Sequence, residues 1–323
     1  MNNPESVKLE VFTIALKPLL DYPNNSLEDI LKSIPGINPI NNLFSEFVQL
    51  FINHIDSGYT EIRNKAFTLS TDTTEYGFDT TNENVWGVLK GGPKGSGKTK
   101  SPITNREEEE DLGGNVINDK YFFYLHFPLN GNVGYLFFQV YGGASIRGEF
   151  IQHITDLFKI TGKYNKAVPY PILPNCIRDE FKGNSKIVEF NYITNILASS
   201  LTEDTAFSNI CDKYHIDVSI KPKGGVNVTP DKVSVLNTIF SSLSLKNARL
   251  SDAVKKKVTL QNLATKKISK FELDTNDVMP RIYLNGRINI DDNGIPNFTE
   301  LKTFCDSLLR ELIEGHYSKI ERQ

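Results

Sequence analysis

The segment from Tyr121 to Gly143 constrains the fold more than any other part of the sequence. It reads YFFYLHFPLNGNVGYLFFQVYGG, so two runs rich in aromatic and other β-favouring residues flank the pair Asn130-Gly131. Aromatic side chains favour strands, and an Asn-Gly pair tolerates the positive φ angles of a tight hairpin turn. The segment therefore predicts a β-hairpin over 121–141, with strands that are apolar on both faces and central in a sheet.

Helical periodicity begins directly after this hairpin. Apolar residues recur on one helical face over 145–160, which predicts a helix that covers the hairpin: Ile146, Phe150, Ile154, Leu157 and Phe158. The opening segment from Val7 to Leu16 alternates as a strand does. A hairpin with a covering helix predicts the α+β class, with an aromatic-rich mixed or antiparallel sheet and helices packed on one side.

The length of 323 residues exceeds the size at which single cores usually stop growing, which predicts two domains. The stretch TGKYNKAVPYPILP, 161–174, contains three prolines and is the predicted linker, so we expect domains over 1–165 and 166–323. A helix over 298–314 is predicted to close the second domain, because Asn297 can cap it and one face is apolar: Leu301, Phe304, Leu308, Leu312 and Ile313.

Basic residues are concentrated locally although the net charge is only -3. The segment 246–270 holds a single acid, Asp252, against Lys246, Arg249, Lys255, Lys256, Lys257, Lys266, Lys267 and Lys270. Upstream, the Gly224-Gly225 pair is surrounded by Lys213, Lys221, Lys223 and Lys232. Lysines that converge can offset phosphate charge and release counterions, so we predict a non-enzymatic protein that binds nucleic acid. The alternative is that these lysines lie on several solvated faces.

Residues Gly92 to Thr99, GPKGSGKT, match the pattern GxxxxGK[ST] and resemble the P-loop of nucleotide-hydrolysing enzymes. The resemblance implies phosphate binding by Gly92, Gly97, Lys98 and Thr99. A functional P-loop must run into a helix, yet the sequence continues KSPITNREEEEDLGG without an apolar face. We therefore favour a mobile surface loop over 94–114, and keep an NTPase as an alternative.

Other chemistry has weaker support. His215 and Asp217 would share a strand face, as an acid/base pair might. A metal-dependent nuclease is a further alternative, because four carboxylates cluster late in the chain: Asp274, Asp277, Asp291 and Asp292. Asp-Asp-Asn-Gly at 291–294 is also ordinary turn chemistry. With no HExxH, CxxC, GxSxG or dinucleotide fingerprint, we assign no catalytic residue, metal or cofactor.

The surroundings and partners of the chain follow from composition. Cys176, Cys211 and Cys305 are far apart, which favours a reducing compartment. The start MNNPESVKLEVF lacks signal-peptide features and no apolar run reaches about 18 residues, so we expect a cytoplasmic protein without membrane contact. Apolar strands or the terminal helix could support a homo-oligomer or a protein partner. An Asn-, Ile- and Lys-rich composition suggests a bacterial accessory or defence component.

Overall fold

The computed structural model has the α+β composition that the sequence predicts. It describes residues 7–19, 23, 25–38, 40–56, 58–95, 98–100, 110–141, 145–183, 185–197, 213–223, 229, 232–245, 248–250, 253, 255–263, 266, 268–272, 281–315 and 317–319. The helices are α1 Leu27–Lys32, α2 Leu43–Asp56, α3 Arg147–Lys159, α4 Asn175–Gly183, α5 Val233–Ser241 and α6 Phe298–Ile313. The strands of the first half are β1 Lys8–Pro18, β2 Thr60–Ile62, β3 Lys65–Leu69, β4 Tyr76–Asp79, β5 Asn84–Pro93, β6 Thr99–Lys100, β7 Glu110–Asp111, β8 Asp119–His126 and β9 Val133–Val140. Those that follow are β10 Tyr164–Pro174, β11 Ser185–Leu197, β12 Lys213–Ile220, β13 Ser244–Leu245, β14 Ala248–Arg249, β15 Lys255–Asn262, β16 Ile268–Glu272, β17 Arg281–Tyr283 and β18 Tyr317–Lys319.

The chain divides into two compact units. The first unit comprises Met1–Ile172 and Ile282–Arg310, and the second comprises Leu173–Arg281 and Glu311–Gln323. Most of α6 therefore belongs to the first unit, whereas the sequence assigned this helix to the second domain. The division into domains at residue 165 stays a prediction.

The sheet of the first unit contains the predicted hairpin at its centre, in the order β10-β1-β9-β8-β5-β3-β2. The prediction of a tight Asn130-Gly131 turn is wrong, because β8 ends at His126 and β9 begins at Val133. Neither turn residue has a positive φ. Instead the Gly131 N–H donates to the Pro128 carbonyl at 3.1 Å, so the longer connection contains a β-turn over 128–131 with Leu129 and Asn130 at its centre.

Helices cover both faces of this sheet. Phe123 of β8 packs against Phe51 of α2 and Phe150 of α3, with ring centroids 5.8 and 5.0 Å apart. The preceding residue, Phe122, stacks on Phe298 of α6, with ring centroids 6.1 Å apart. Neighbouring residues in a strand point to opposite faces, so α6 lies across the sheet from α2 and α3. The expectation of helices on one side is wrong for this unit, because β8 carries aromatic rings on both faces.

The predicted linker over 161–174 is wrong as well, because most of it forms β10. This strand pairs antiparallel with Phe12–Pro18 of β1. Pro169 and Pro171 stand at alternate positions, and alternate N–H groups of a strand point to the same side. The two prolines thus remove donors on one side only, and the neighbouring residues can still pair.

Helix α6 begins where the sequence predicts. The side-chain oxygen of Asn297 accepts hydrogen bonds from the backbone N–H groups of Thr299 and Glu300, each at 3.1 Å. Leu301 and Leu308 are buried, whereas Ile313 is 58% exposed. The apolar face therefore stops short of the predicted Ile313.

The second unit contains an antiparallel sheet in the order β12-β11-β15-β16. Phe190 of β11 packs edge-on against Phe240 of α5 at 5.1 Å. The Tyr192 hydroxyl donates to the Asn237 side chain of the same helix at 2.9 Å. One face of this sheet is thus covered by a helix.

Candidate functional site

The opposite face of the second unit's sheet carries exposed side chains along β12, whereas Thr259 of β15 on the same face is buried; we call it the open face. Phe190 and Tyr192 of β11 are fully buried on the helix side. His215, Asp217 and Ser219 of β12 point the other way and are exposed. Strand alternation therefore makes this sheet apolar toward α5 and polar on the open face.

Strand β15 divides the run of three lysines between the two faces. Lys255 pairs in register with Ile193 and Lys257 with Asn191, both of which are open-face positions. Lys256 pairs with the buried Tyr192 and belongs to the helix side. The three lysines thus do not form one patch, because consecutive strand residues alternate.

Lysines from other strands supplement the pair on the open face. Register and alternation place four lysines with described side chains there: Lys186, Lys221, Lys255 and Lys257. Two acidic residues with described side chains share the face, Glu189 and Asp217. In the backbone register, Lys270 and Glu272 of β16 pair with Thr259 and Lys257. Among the residues described for this sheet, the open face therefore carries an excess of positive charge.

Two acids of the open face are already engaged by neighbours. Asp217 accepts a hydrogen bond from the Asn191 side chain at 2.5 Å. Glu189 accepts one from the Ser219 hydroxyl at 2.6 Å and lies 3.6 Å from the ammonium of Lys221. Lys255 and Lys257 form no ion pair within the described part of the chain, and the register partner of Lys257 in β16 is Glu272.

Two further basic residues predicted from 246–270 are described outside the strands of this sheet. Arg249 is in β14. Lys266 has a φ of 59° in the connection between β15 and β16, and its ammonium donates to the Leu263 carbonyl at 2.7 Å. Lys246 and Lys267 lie outside the described residues. The described basic residues of this segment therefore do not all share one strand face.

The resemblance to a P-loop does not extend to the backbone geometry. Gly92 lies inside β5 and pairs with Ala66 of β3, where a Cβ atom would collide with the Ile117 carbonyl oxygen. The backbone at Ile117 approaches position 92 so closely that only glycine fits there. Lys98 directly precedes β6, where Thr99 pairs with Asp111 of β7, so the described residues form a β-ribbon where a P-loop needs a helix. Gly97 lies outside the described residues.

Of the four carboxylates late in the chain, the structure describes Asp291 and Asp292, which lie in the turn before α6. One oxygen of Asp291 accepts hydrogen bonds from the backbone N–H groups of Asn293 at 2.9 Å and Ile295 at 2.7 Å. Asp274 and Asp277 lie outside the described residues. Within the described ranges, no group of three or more His, Cys, Asp or Glu side chains could hold a metal ion. His215 and Asp217 share the open face, as predicted.

No family model matches the chain, and no curated protein matches its sequence. None of the helices in the described portion is long and apolar enough to cross a membrane.

Sequence reasoning missed the contribution of Lys186 to the open face and placed Lys221 among the lysines that surround the Gly224-Gly225 pair. These residues are distant from 246–270 in sequence, so only strand pairing brings them beside Lys255 and Lys257. The detectable signal was the alternation of β11, in which Lys186 precedes a buried Ile187.

Proposed function

We propose that the chain is a non-enzymatic binding protein that holds a polyanion, foremost nucleic acid, on the open face of its second unit. The observation that carries this proposal is the alternation of β15, which directs Lys255 and Lys257 away from α5 toward the exposed side. Lysines from neighbouring strands widen the same positive surface. A phosphate backbone is the repeating anion that such a spread of charge suits.

The kind of recognition follows from the side chains. The open face offers ammonium groups together with the polar side chains of Asn191, Ser219 and His215. Ammonium groups contact phosphates and carry no base information directly. Binding should therefore depend weakly on sequence and strongly on salt, with a slope of about 0.9 per phosphate contact for duplex DNA.

The test compares two neighbouring charge reversals with identical effects on net charge. Lys257→Glu changes the open face, whereas Lys256→Glu changes the helix side of the same strand. Titration of labelled single- and double-stranded DNA and RNA at two salt concentrations gives the affinity and the salt slope for each variant. We expect Lys257→Glu to weaken binding several-fold and to reduce the slope by about 1. Lys256→Glu should retain the parental affinity.

A larger effect is expected when both open-face lysines are reversed. Lys255→Glu combined with Lys257→Glu should reduce affinity more than tenfold, with melting curves confirming that the fold is intact. Equal losses for Lys256→Glu and Lys257→Glu would show that the open face is not the binding surface. Absence of binding by the parental chain at low salt would remove nucleic acid as the ligand.

A further inference from the structure

A cavity of about 440 Å³ lies in the first unit, beside the paired ends of β5 and β8. Lys90 and Lys120 line it from the strands, Asn118 lines it from the residue before β8, and Asn293 and Ile295 line it from the turn that precedes α6. The volume lies in the range of small-molecule sites. The cavity belongs to a different unit from the open face and stands independently of the function proposed above.

Two lysines of this cavity are directly opposite each other. Lys90 of β5 pairs in register with Lys120 of β8, and like charges at such positions repel. The Lys120 ammonium is 2.6 Å from Glu75, which neutralises it. Lys90 is half-buried and has no ion pair within the described residues, so its charge is the one that lacks a counterion.

The nearby acids do not replace that counterion. Asp72 has a lowered pKa, chiefly because the Thr74 side chain and backbone donate hydrogen bonds to it, with smaller contributions from Lys120 and Lys90. Asp119 also lines the cavity, and one of its oxygens accepts a hydrogen bond from the Tyr121 hydroxyl at 3.5 Å. Each acid thus already has donors of its own.

The rest of the lining suits a small polar molecule with an apolar part. The Asn118 side-chain oxygen accepts a hydrogen bond from the Tyr59 hydroxyl at 3.0 Å, which orients this amide. The Tyr141 hydroxyl donates to the Lys120 carbonyl at 2.9 Å and fixes the ring against the cavity wall. Ile295 supplies aliphatic surface. The lining is thus mostly polar, with Ile295 and the Tyr141 ring as its apolar part, and its polar groups are oriented as in ligand sites.

We propose that this cavity binds a small organic anion, whose phosphate or carboxylate group is held chiefly by the Lys90 ammonium and in part by the Lys120 ammonium. Both groups present oxygens that an ammonium can contact by charge-assisted hydrogen bonds. Asp119 then accepts a hydroxyl or ammonium hydrogen from the remainder of the ligand.

The experiment titrates the full chain with inorganic phosphate and, separately, with succinate, both at constant ionic strength. Calorimetry measures both titrations, and phosphorus NMR follows the phosphate titration as well. Saturable binding of phosphate alone assigns a phosphorylated ligand, and binding of succinate alone assigns a carboxylate. The matched variants are Lys90→Gln, inside the cavity, and Lys100→Gln, an exposed lysine of β6. We expect at least tenfold weaker binding for Lys90→Gln and no change for Lys100→Gln.

Two results would overturn the proposal. One is the absence of saturable binding of both probes to the parental chain, which needs no variant and is decisive even where Lys90→Gln does not fold. The other is parental affinity in a folded Lys90→Gln chain. Retained binding in Lys90→Arg would further support an electrostatic role for this position.

Discussion

At the scale of single residues, the imidazole of His153 makes stability depend on pH. His153 of α3 is 2% exposed, its Nε2 has no hydrogen-bond partner, and its ring lies 4.5 Å from that of His54 in α2. Burial, reinforced by His54 and opposed by Asp156, lowers the pKa of His153 to about 4. The folded chain therefore disfavours the protonated form of His153, whereas a histidine in the unfolded chain has a pKa of about 6.5.

The direction of the pH effect follows from linkage. Because the folded pKa lies below the unfolded value, the stabilisation is complete above about pH 6.5 and is lost as the pH falls toward 4. We expect about 2 kcal/mol of unfolding free energy to be lost between pH 7.5 and pH 5 through this group. Urea denaturation at both pH values should show a much smaller loss in His153→Gln. His215→Gln, on the open face, should behave as the parental chain, and an equal pH dependence of His153→Gln would contradict this account.

The residue scale also explains what the sequence could predict about the site. The lysine excess over 246–270 was visible, but its division between two faces depends on the alternation of β15, which places Lys256 opposite the buried Tyr192. The pairing of Lys90 with Lys120 was not predictable, because it depends on the register between two strands that are 30 residues apart in sequence. Register is determined by long-range packing rather than by local composition.

At the scale of elements, local periodicity predicted the helices well, and its failures have identifiable physical reasons. Helices α3 and α6 begin within two residues of the predicted positions, because each has a strongly apolar face and α6 has a side-chain cap. The stretch over 161–174 was predicted as a linker because of its prolines. Proline opposes a strand only where its missing N–H would pair, which sequence alone does not show.

Helix α6 offers a stability test with an internal control. Leu308 is 2% exposed, so Leu308→Ala should lower the unfolding free energy by about 2 to 5 kcal/mol. Ile313 lies on the same helix and is 58% exposed, so Ile313→Ala should change it by less than about 0.5 kcal/mol. Urea denaturation of both variants measures the difference. Similar values for the two would mean that α6 does not form part of the core.

At the scale of the whole molecule, the first unit is interrupted in sequence but continuous around β1. Strand β9 pairs with one edge of β1 over Lys8–Ala15. Both β10 and β17 therefore pair with the other edge, β10 along Phe12–Pro18 and β17 toward the start of the strand. The Leu284 N–H donates to the Val7 carbonyl at 3.1 Å, next to β17. The chain thus leaves the sheet and returns to it along one edge.

This arrangement predicts that the first unit folds without the second. The last partner of β10 on β1 is Phe12 and the Leu284 contact is at Val7, a span of roughly 17 Å along the strand that six flexible residues can bridge. Replacing 173–281 with such a linker and ending at Ile313 should preserve the aromatic core and give a single cooperative unfolding transition by circular dichroism. The control also lacks Phe298–Ile313, which exposes the Phe122 face of the sheet, and it should lose that transition. Two results would contradict this prediction. One is cooperative unfolding of the control that lacks Phe298–Ile313, and the other is the lack of a cooperative transition in the shortened chain that retains it.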